Sequence, residues 1–336
     1  MSRAPGRLGE RGIHDLDQFG IAWRNRHGSK LTRGRFPAGF ATCYKKLEAA
    51  LLYIEHTLAP PLRGFVRMLW YARAPQPGHS REQILPTGNT QVLINLAADY
   101  LHDCPEGALP QKTPPSMVAG GRSVYEIVHT ADMADLIGVV FEPGRFPVFS
   151  GDAADLFSNR FVDLEDVWGT SARTLRNQLR ELPGPQERLF CLERFLVETF
   201  ASRLLRVPPL RHRAVDYALG RFAHAPSIVT VREVAQSTGW SERRFSQVFR
   251  EEVGFSPKVW CRLQRFQKAV QQLHAGVDVP WANLALDCGF YDQSHFANDF
   301  RAFSGVDVTT YSIRRTQWAN HIVAEESASL QRFAAD

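Results

Sequence analysis

Residues 230–250 read TVREVAQSTGWSERRFSQVFR, and residues 280–301 read PWANLALDCGFYDQSHFANDFR. The two stretches are one pattern written twice. Val234 answers to Leu284, Ala235 to Ala285 and Gly239 to Gly289 at an offset of 50. Phe245 then answers to Phe296, Phe249 to Phe300, Arg250 to Arg301 and Gly254 to Gly305 at an offset of 51. One residue has entered the second turn and the unit survives, which marks duplication of a structural module.

Each copy predicts a short helix, a glycine turn and a second helix. Thr230 and Glu233 are spaced as a capping box, and Asp278 near Pro280 opens the second copy in a comparable way. Ala235 and Ala285 are small enough for the two helices to cross closely. Gly239 and Gly289 supply the left-handed backbone that stops a helix sharply. The phenylalanines, four apart, bury one face of the second helix. The other face is polar: Glu242, Arg243, Ser246 and Gln247 in one copy, Gln293, Ser294, His295 and Asn298 in the other. This is the layout of a helix-turn-helix whose second helix enters the major groove of DNA. Arg243 and Gln247 lie one turn apart and suit guanine and adenine edges. Gln293, Ser294 and His295 open the other reading helix. Arg244, Arg250, Lys258 and Arg301 suit phosphates. Between the copies, SPKVWCRLQRFQKAVQQLHAG (256–276) predicts one long helix with Trp260, Leu263, Phe266, Val270 and Leu273 as its buried stripe. About 18 residues span roughly 27 Å, near the ~34 Å at which the major groove recurs on one face of DNA.

The tandem repeat, the segment LALDCGFYDQSHFANDF and the intervening GFSP together resemble the AraC/XylS family of bacterial transcription regulators. The resemblance covers about 210–315. It implies an all-α DNA-binding domain over 208–315, with helix-turn-helix units at 230–250 and 280–301, and a role in transcription regulation. The chain departs from the family at Val308, where proline is usual, and at Asn298, where arginine is frequent.

Upstream, the texture is of short β-like runs broken by Pro and Gly, giving way after about 150 to helical periods at 173–182 and 185–206. The start FVRMLW, a hairpin ILPTGNTQVLINL turning at Thr87-Gly88-Asn89, VAGGR (118–122), LIGVVFEPG (136–144) and DLEDVWG (163–169) resemble uncharacterised N-terminal domains of such regulators. That resemblance implies a cupin-like β-barrel followed by helices, serving to sense an effector or to dimerise. The default ligand position is the interior of strands 83–96 and 137–141, with Arg122 and Glu142 as candidate polar contacts. The expected fold class is therefore α+β and multidomain: an N-terminal β-barrel with helices, then an all-α domain of two helix-turn-helix units joined by a long helix. Residues 1–58 are expected as a flexible leader and short helix, the helix carried by CYKKLEAALLYIEH (43–56). Residues 59–207 form the β-rich domain, with Pro208-Pro209 as boundary, and residues 316–336 a C-terminal tail.

Composition narrows the function classes. The 336 residues are 44 % hydrophobic, enough for a sizeable core. The net charge is +5, and 209–315 carries 14 basic against 10 acidic residues, compatible with phosphate contact. No apolar run of about 18 residues reads as a membrane span, and MSRAPGRLGERG lacks the apolar region of a secretory signal. The five cysteines, Cys43, Cys104, Cys191, Cys261 and Cys288, are scattered with no C-x-x-C pair, which fits a reducing cytoplasm. No nucleophile elbow, phosphate loop, dinucleotide fingerprint or zinc-protease helix occurs, and His79, His102 and His129 stand apart rather than as an H-x-H pair. No catalytic residue, metal or cofactor is expected. Double-stranded DNA is the expected partner. RNA polymerase, a small-molecule effector and a second copy of the chain are candidate partners, and the alternative is a ligand-independent regulator whose N-terminal domain only dimerises.

Overall fold

The computed structural model of the protein describes residues 52–74, 78–103, 111–204, 212–224, 230–276 and 280–324. The expected leader, most of the 43–56 helix, Pro208-Pro209, Asp278, Cys43 and Cys104 lie outside these residues. Within them the chain is mixed α/β, with sheets in the N-terminal part and helices in the C-terminal part.

The strands are β1 (Leu52–His56), β2 (Val66–Arg73), β3 (Arg81–Ile84), β4 (Gln91–Asn95), β5 (Leu101–Asp103), β6 (Gln111–Thr113), β7 (Ser116–Ala119), β8 (Glu126–His129), β9 (Asp135–Phe141), β10 (Phe161–Asp163) and β11 (His321–Val323). They form two antiparallel sheets, ordered β1-β2-β9-β4-β7-β10 and β11-β3-β8-β5-β6. Among the described residues no ladder joins the two sheets, so these strands do not close into the barrel expected from the sequence.

Side-chain alternation sets the faces of the larger sheet. In β4, Val92 and Ile94 are fully buried while Gln91 and Leu93 are half-buried. The buried face is covered by α1 (Pro147–Ser150), α2 (Leu164–Trp168), α3 (Thr170–Glu181) and α4 (Pro185–Leu204). Leu69, Tyr71, Val92, Ile94, Ile137 and Val139 pack there against Phe149, Leu175, Leu179, Leu189, Leu192 and Leu196. Asp163 caps α2 through Oδ1, which accepts from the Glu165 amide at 2.9 Å.

The helical part comprises α5 (Arg213–His224), α6 (Val231–Ser237), α7 (Glu242–Val253), α8 (Pro257–His274), α9 (Trp281–Asp287), α10 (Gln293–Ser304) and α11 (Val308–Arg314). Ser256 caps α8, Pro257 sits in its first turn, and Gly276 follows its end at φ 74°. All five residues of its expected stripe are buried. Asp307 caps α11 by accepting from the Thr310 amide at 2.8 Å, so the helix starts firmly with valine rather than proline at position 308.

Three expectations are corrected. Leu52–His56 is a strand paired along its length with β2, not the end of a helix, because sheet pairing overrides a short helical period. The segment around Thr87-Gly88-Asn89 turns the chain but makes no hairpin: β3 pairs with β8 and β11, and β4 with β7 and β9, so the turn carries the chain from one sheet to the other. Residues 316–324 are not a tail. They fold back so that β11 extends the smaller sheet at β3, burying Ala319, Asn320, Ile322 and Ala324.

These returns weld the sheets to the helices. Leu85 lies in one apolar cluster with Leu263, Phe266, Phe300 and Ile322. Gln267 Nε2 donates to Pro86 O at 2.7 Å and to Asn320 Oδ1 at 2.9 Å. Glu82 accepts from His79 Nε2 at 2.8 Å and His321 Nδ1 at 2.7 Å. Burial alone would raise the Glu82 pKa, but hydrogen bonds from the two histidines outweigh it and hold the carboxyl below its ordinary value. Gly88, at φ 77°, passes so close to α8 that a Cβ there would stand 2.5 Å from Leu263 Cδ2 and 3.1 Å from Trp260 Cζ3.

Gly88→Ala is therefore expected to destabilise the chain by backbone strain, about 1–3 kcal/mol, plus the cost of displacing α8. Gly64, at φ 82° with nothing within 4 Å of an added Cβ, carries the strain alone. Chemical denaturation should show Gly88→Ala losing clearly more stability than Gly64→Ala; equal losses would contradict close packing at Gly88.

Candidate nucleic-acid interface

The first helix pair is built from local signals. The Thr230 side chain accepts from the Glu233 amide and the Glu233 side chain from the Thr230 amide, so the expected capping box is complete. Gly239 turns the chain at φ 74°, and Ser241 Oγ caps α7 by accepting from the Arg244 amide at 3.3 Å. Phe245, Val248, Phe249 and Val253 bury one face of α7 against Val215, Ala218 and Phe222 of α5 and Trp260 and Cys261 of α8. Glu242, Arg243, Arg244, Gln247 and Arg250 stand exposed on the other faces, and Ser246 is half-buried.

The exposed groups differ in freedom. Glu242 accepts from Arg232 Nε at 2.8 Å, and Gln247 Nε2 donates to Glu251 at 2.9 Å. The Arg244 guanidinium lies 5.8 Å from the Trp240 ring centre. Arg243 has no partner among the described residues. Arg250 Nε is 3.3 Å from Asp155 Oδ2, in the short turn 154–156 of the sheet-bearing part. Ser158 Oγ beside it donates to Gly254 O at 2.6 Å, so the end of α7 rests on that turn.

The second pair repeats the plan. Leu284 and Ala285 bury α9, Gly289 turns at φ 86°, and Asp292 Oδ1 caps α10 by accepting from the His295 amide at 2.7 Å. Phe296, Asp299, Phe300, Phe303 and Ser304 form the buried side of α10. Gln293, Ser294, Asn298 and Arg301 are exposed. His295 behaves differently from the sequence expectation that groups it with the readers. Its ring is half-buried and edge-on to Phe290 at 5.6 Å, Nδ1 accepts from the Tyr291 amide at 3.5 Å, and Nε2 is 3.6 Å from Asp299 Oδ2.

With the offset of 51, Arg243, Gln247 and Arg250 correspond to Ser294, Asn298 and Arg301. Steps of three and four residues put each set on one stripe of its helix. One stripe is cationic with one amide; the other has a hydroxyl, an amide and one cation. Sequence reasoning missed Tyr291, 86 % exposed at the turn before α10, and Asp299, 4 % exposed within it. The candidate ligand contacts in the sheets are engaged: Arg122 Nε pairs with Glu126 at 3.1 Å, and Glu142 with Arg67 Nη2 at 2.9 Å. Burial pushes the Cys261 thiol up to about 12 and Cys288 up to about 11, so both serve packing. Among the described residues no cluster of three His, Cys, Asp or Glu is placed to hold a metal ion, and no helix is long and apolar enough to cross a membrane.

Residues 55–163 match a family described as a domain of unknown function (DUF6597), and residues 234–314 match a helix-turn-helix domain family. No curated protein matches the chain. Among solved structures, the C-terminal domain of AraT, a response regulator from Geobacillus stearothermophilus, is similar at 24 % identity, covering 36 % of this chain and 93 % of that one, with a TM-score of 0.29. ToxT from Vibrio cholerae O395 is similar at 11 % identity over 70 % of this chain and 95 % of that one, with a TM-score of 0.38. Unsaturated fatty acid bound ToxT from Vibrio cholerae strain SCE256 gives 11 % identity, 74 % and 94 % coverage and a TM-score of 0.39. The matched segment 234–314 runs from the core of α6 to the end of α11, so the helix-turn-helix match spans both helix pairs and the helix between them.

Proposed function

We propose that the chain is a cytoplasmic transcription regulator that binds double-stranded DNA in a sequence-specific way through both helix pairs. The observation that carries this reading is the correspondence of two exposed polar stripes, on α7 and α10, held by one capped helix of 18 residues. At 1.5 Å per residue α8 spans roughly 27 Å, close enough to the ~34 Å groove repeat for one subunit to meet two successive major grooves with modest bending of the duplex. The unlike stripes give the two half-sites different sequences and the whole site a direction. Arg243 and Gln247 read one half; Ser294 and Asn298, flanked by Gln293 and Arg301, read the other. Glu242 and Ser246 border the first stripe, and Arg244 and Arg250 lie near its phosphates.

The N-terminal sheets are assigned the regulatory role. The support is direct packing: the turns at 85–89 and 154–158 touch α8 and α7, so a ligand, a second subunit or polymerase acting on the sheets acts on the reading helices. Sensing a small molecule and dimerising alone are separated by following DNA affinity during metabolite titration.

Two outcomes test the DNA reading. Arg243→Ala should cost about 1–3 kcal/mol at one base position and relax preference there; equal weakening on all sequences would make Arg243 a phosphate contact. Asp155→Asn should release Arg250 to a phosphate, tightening binding severalfold and steepening the fall of log K with log salt by about one. Binding titrations over a salt series that show an unchanged slope would remove Arg250 from the interface.

A further inference from the structure

Duplication supplies an internal control for every position of the two helix pairs. Phe245 and Phe249 of α7 correspond to Phe296 and Phe300 of α10, and all four are buried. Between them, Val248 corresponds to Asp299. Val248 is 6 % exposed and sits among hydrocarbons, whereas Asp299, 4 % exposed at the same place on its helix, is a carboxylate. The space does not require one, because the sister module fills it with a branched apolar side chain.

The Asp299 carboxylate is held from the linker helix. Its Oδ1 accepts from Arg262 Nη2 at 2.6 Å, and Arg262 Nε lies 3.2 Å from both oxygens. The same guanidinium lies 5.3 Å from the centre of the Phe303 ring, one turn further along α10. Oδ2 also faces His295, whose other nitrogen accepts from the turn at Tyr291. One carboxylate thus ties α8, the first turn of α10 and the turn before it.

An ion pair with a buried carboxylate and a half-buried guanidinium gains little net stability over well-packed hydrocarbon of similar volume, because desolvation offsets an attraction that solvent also screens. What it adds is direction: a guanidinium fork on a carboxylate fixes angle as well as distance. Direction matters for a reading helix. With side chains reaching about 5–6 Å from the axis, a roll of about 20° moves their tips by roughly 2 Å, more than a hydrogen bond tolerates. We propose that Asp299 and Arg262 are positioning residues that fix the roll of α10 and so set which base pairs Ser294 and Asn298 read, with His295 part of the brace. The proposal rests on the DNA-binding reading given above.

The test uses the full-length chain and a library of duplexes with randomised base pairs, from which bound sequences are selected. The wild type should yield a motif of two halves, and Arg243→Ala should erase preference in one of them, labelling the half read by α7. The double variant Asp299→Val with Arg262→Met copies the apolar sister module. It should keep an unfolding midpoint at or above that of the wild type and keep the α7 half. Its discrimination in the other half should fall roughly tenfold or more. Arg262→Lys, which keeps the charge but loses the fork, should fall between the two. A folded double variant that selects the wild-type motif in both halves overturns the proposal. Should the double variant fail to fold, Arg262→Lys decides alone: a relaxed second half supports positioning, and an unchanged motif overturns it. A wild type that selects no motif overturns the DNA-binding reading itself, and the proposal with it.

Discussion

The orientation of α8 is the constraint on which the rest of the helical part depends. Trp260 and Cys261 anchor it in the core of the first helix pair, and Leu263, Phe266, Ala269, Val270 and Leu273 in the core of the second. Arg262 holds α10 through Asp299, Lys268 Nζ donates to Asp287 O at 2.6 Å at the end of α9, and Arg315 donates to Leu273 O. No glycine, and no proline beyond its first turn, interrupts α8 to allow a kink. Both α7 and α10 are therefore placed by one rod. Their separation is a property of its length, and their roll of the side chains along its sides.

The same rod meets the sheets. Gln267 reaches Pro86 and Asn320, and the backbone at Gly88 lies against Leu263 and Trp260. At Gly121 an added Cβ would stand 2.9 Å from Phe255 Cε2, in the bend between α7 and α8. Strand β11 then binds the end of the helical part to β3. Interiors packed this closely transmit displacement rather than absorb it. A ligand bound more tightly by one arrangement of the sheets than by another biases the helices by that difference in affinity, with no separate signalling element required.

What could be read in the sequence was what is encoded locally. Caps, glycine stops and the three-to-four spacing of phenylalanines act within a few residues, so the repeated module and α8 were legible from Thr230 to Gly276 and again from Leu284 to Gly305. What escaped depends on partners far along the chain. The window ending at His56 carried a helical period, but Leu52–His56 pairs with β2. The signal at Thr87-Gly88-Asn89 marked a real turn, while the partners of β3 and β4 lie some 22 to 241 residues away. β11 is three residues long, too short for any alternation to show. In the candidate interface, the exposed stripes that carry Arg243, Gln247, Ser294 and Asn298 were legible from helical spacing alone. The burial of Asp299 was not, since a carboxylate on a helix reads as solvated until its neighbour Arg262 is known, and the half-buried setting of His295 escaped for the same reason. Alignment of the two copies held the missing signal: a carboxylate stands where the sister helix has Val248.

The most direct test of the central claim, that one rod sets two unlike reading helices on one face of DNA, is footprinting of the full-length chain on its selected duplex. A single subunit should protect two major-groove segments about 10–10.5 base pairs apart, and inserting about half a helical turn between them should abolish protection of one. A single protected groove, or undiminished protection of both segments after the insertion, would contradict it.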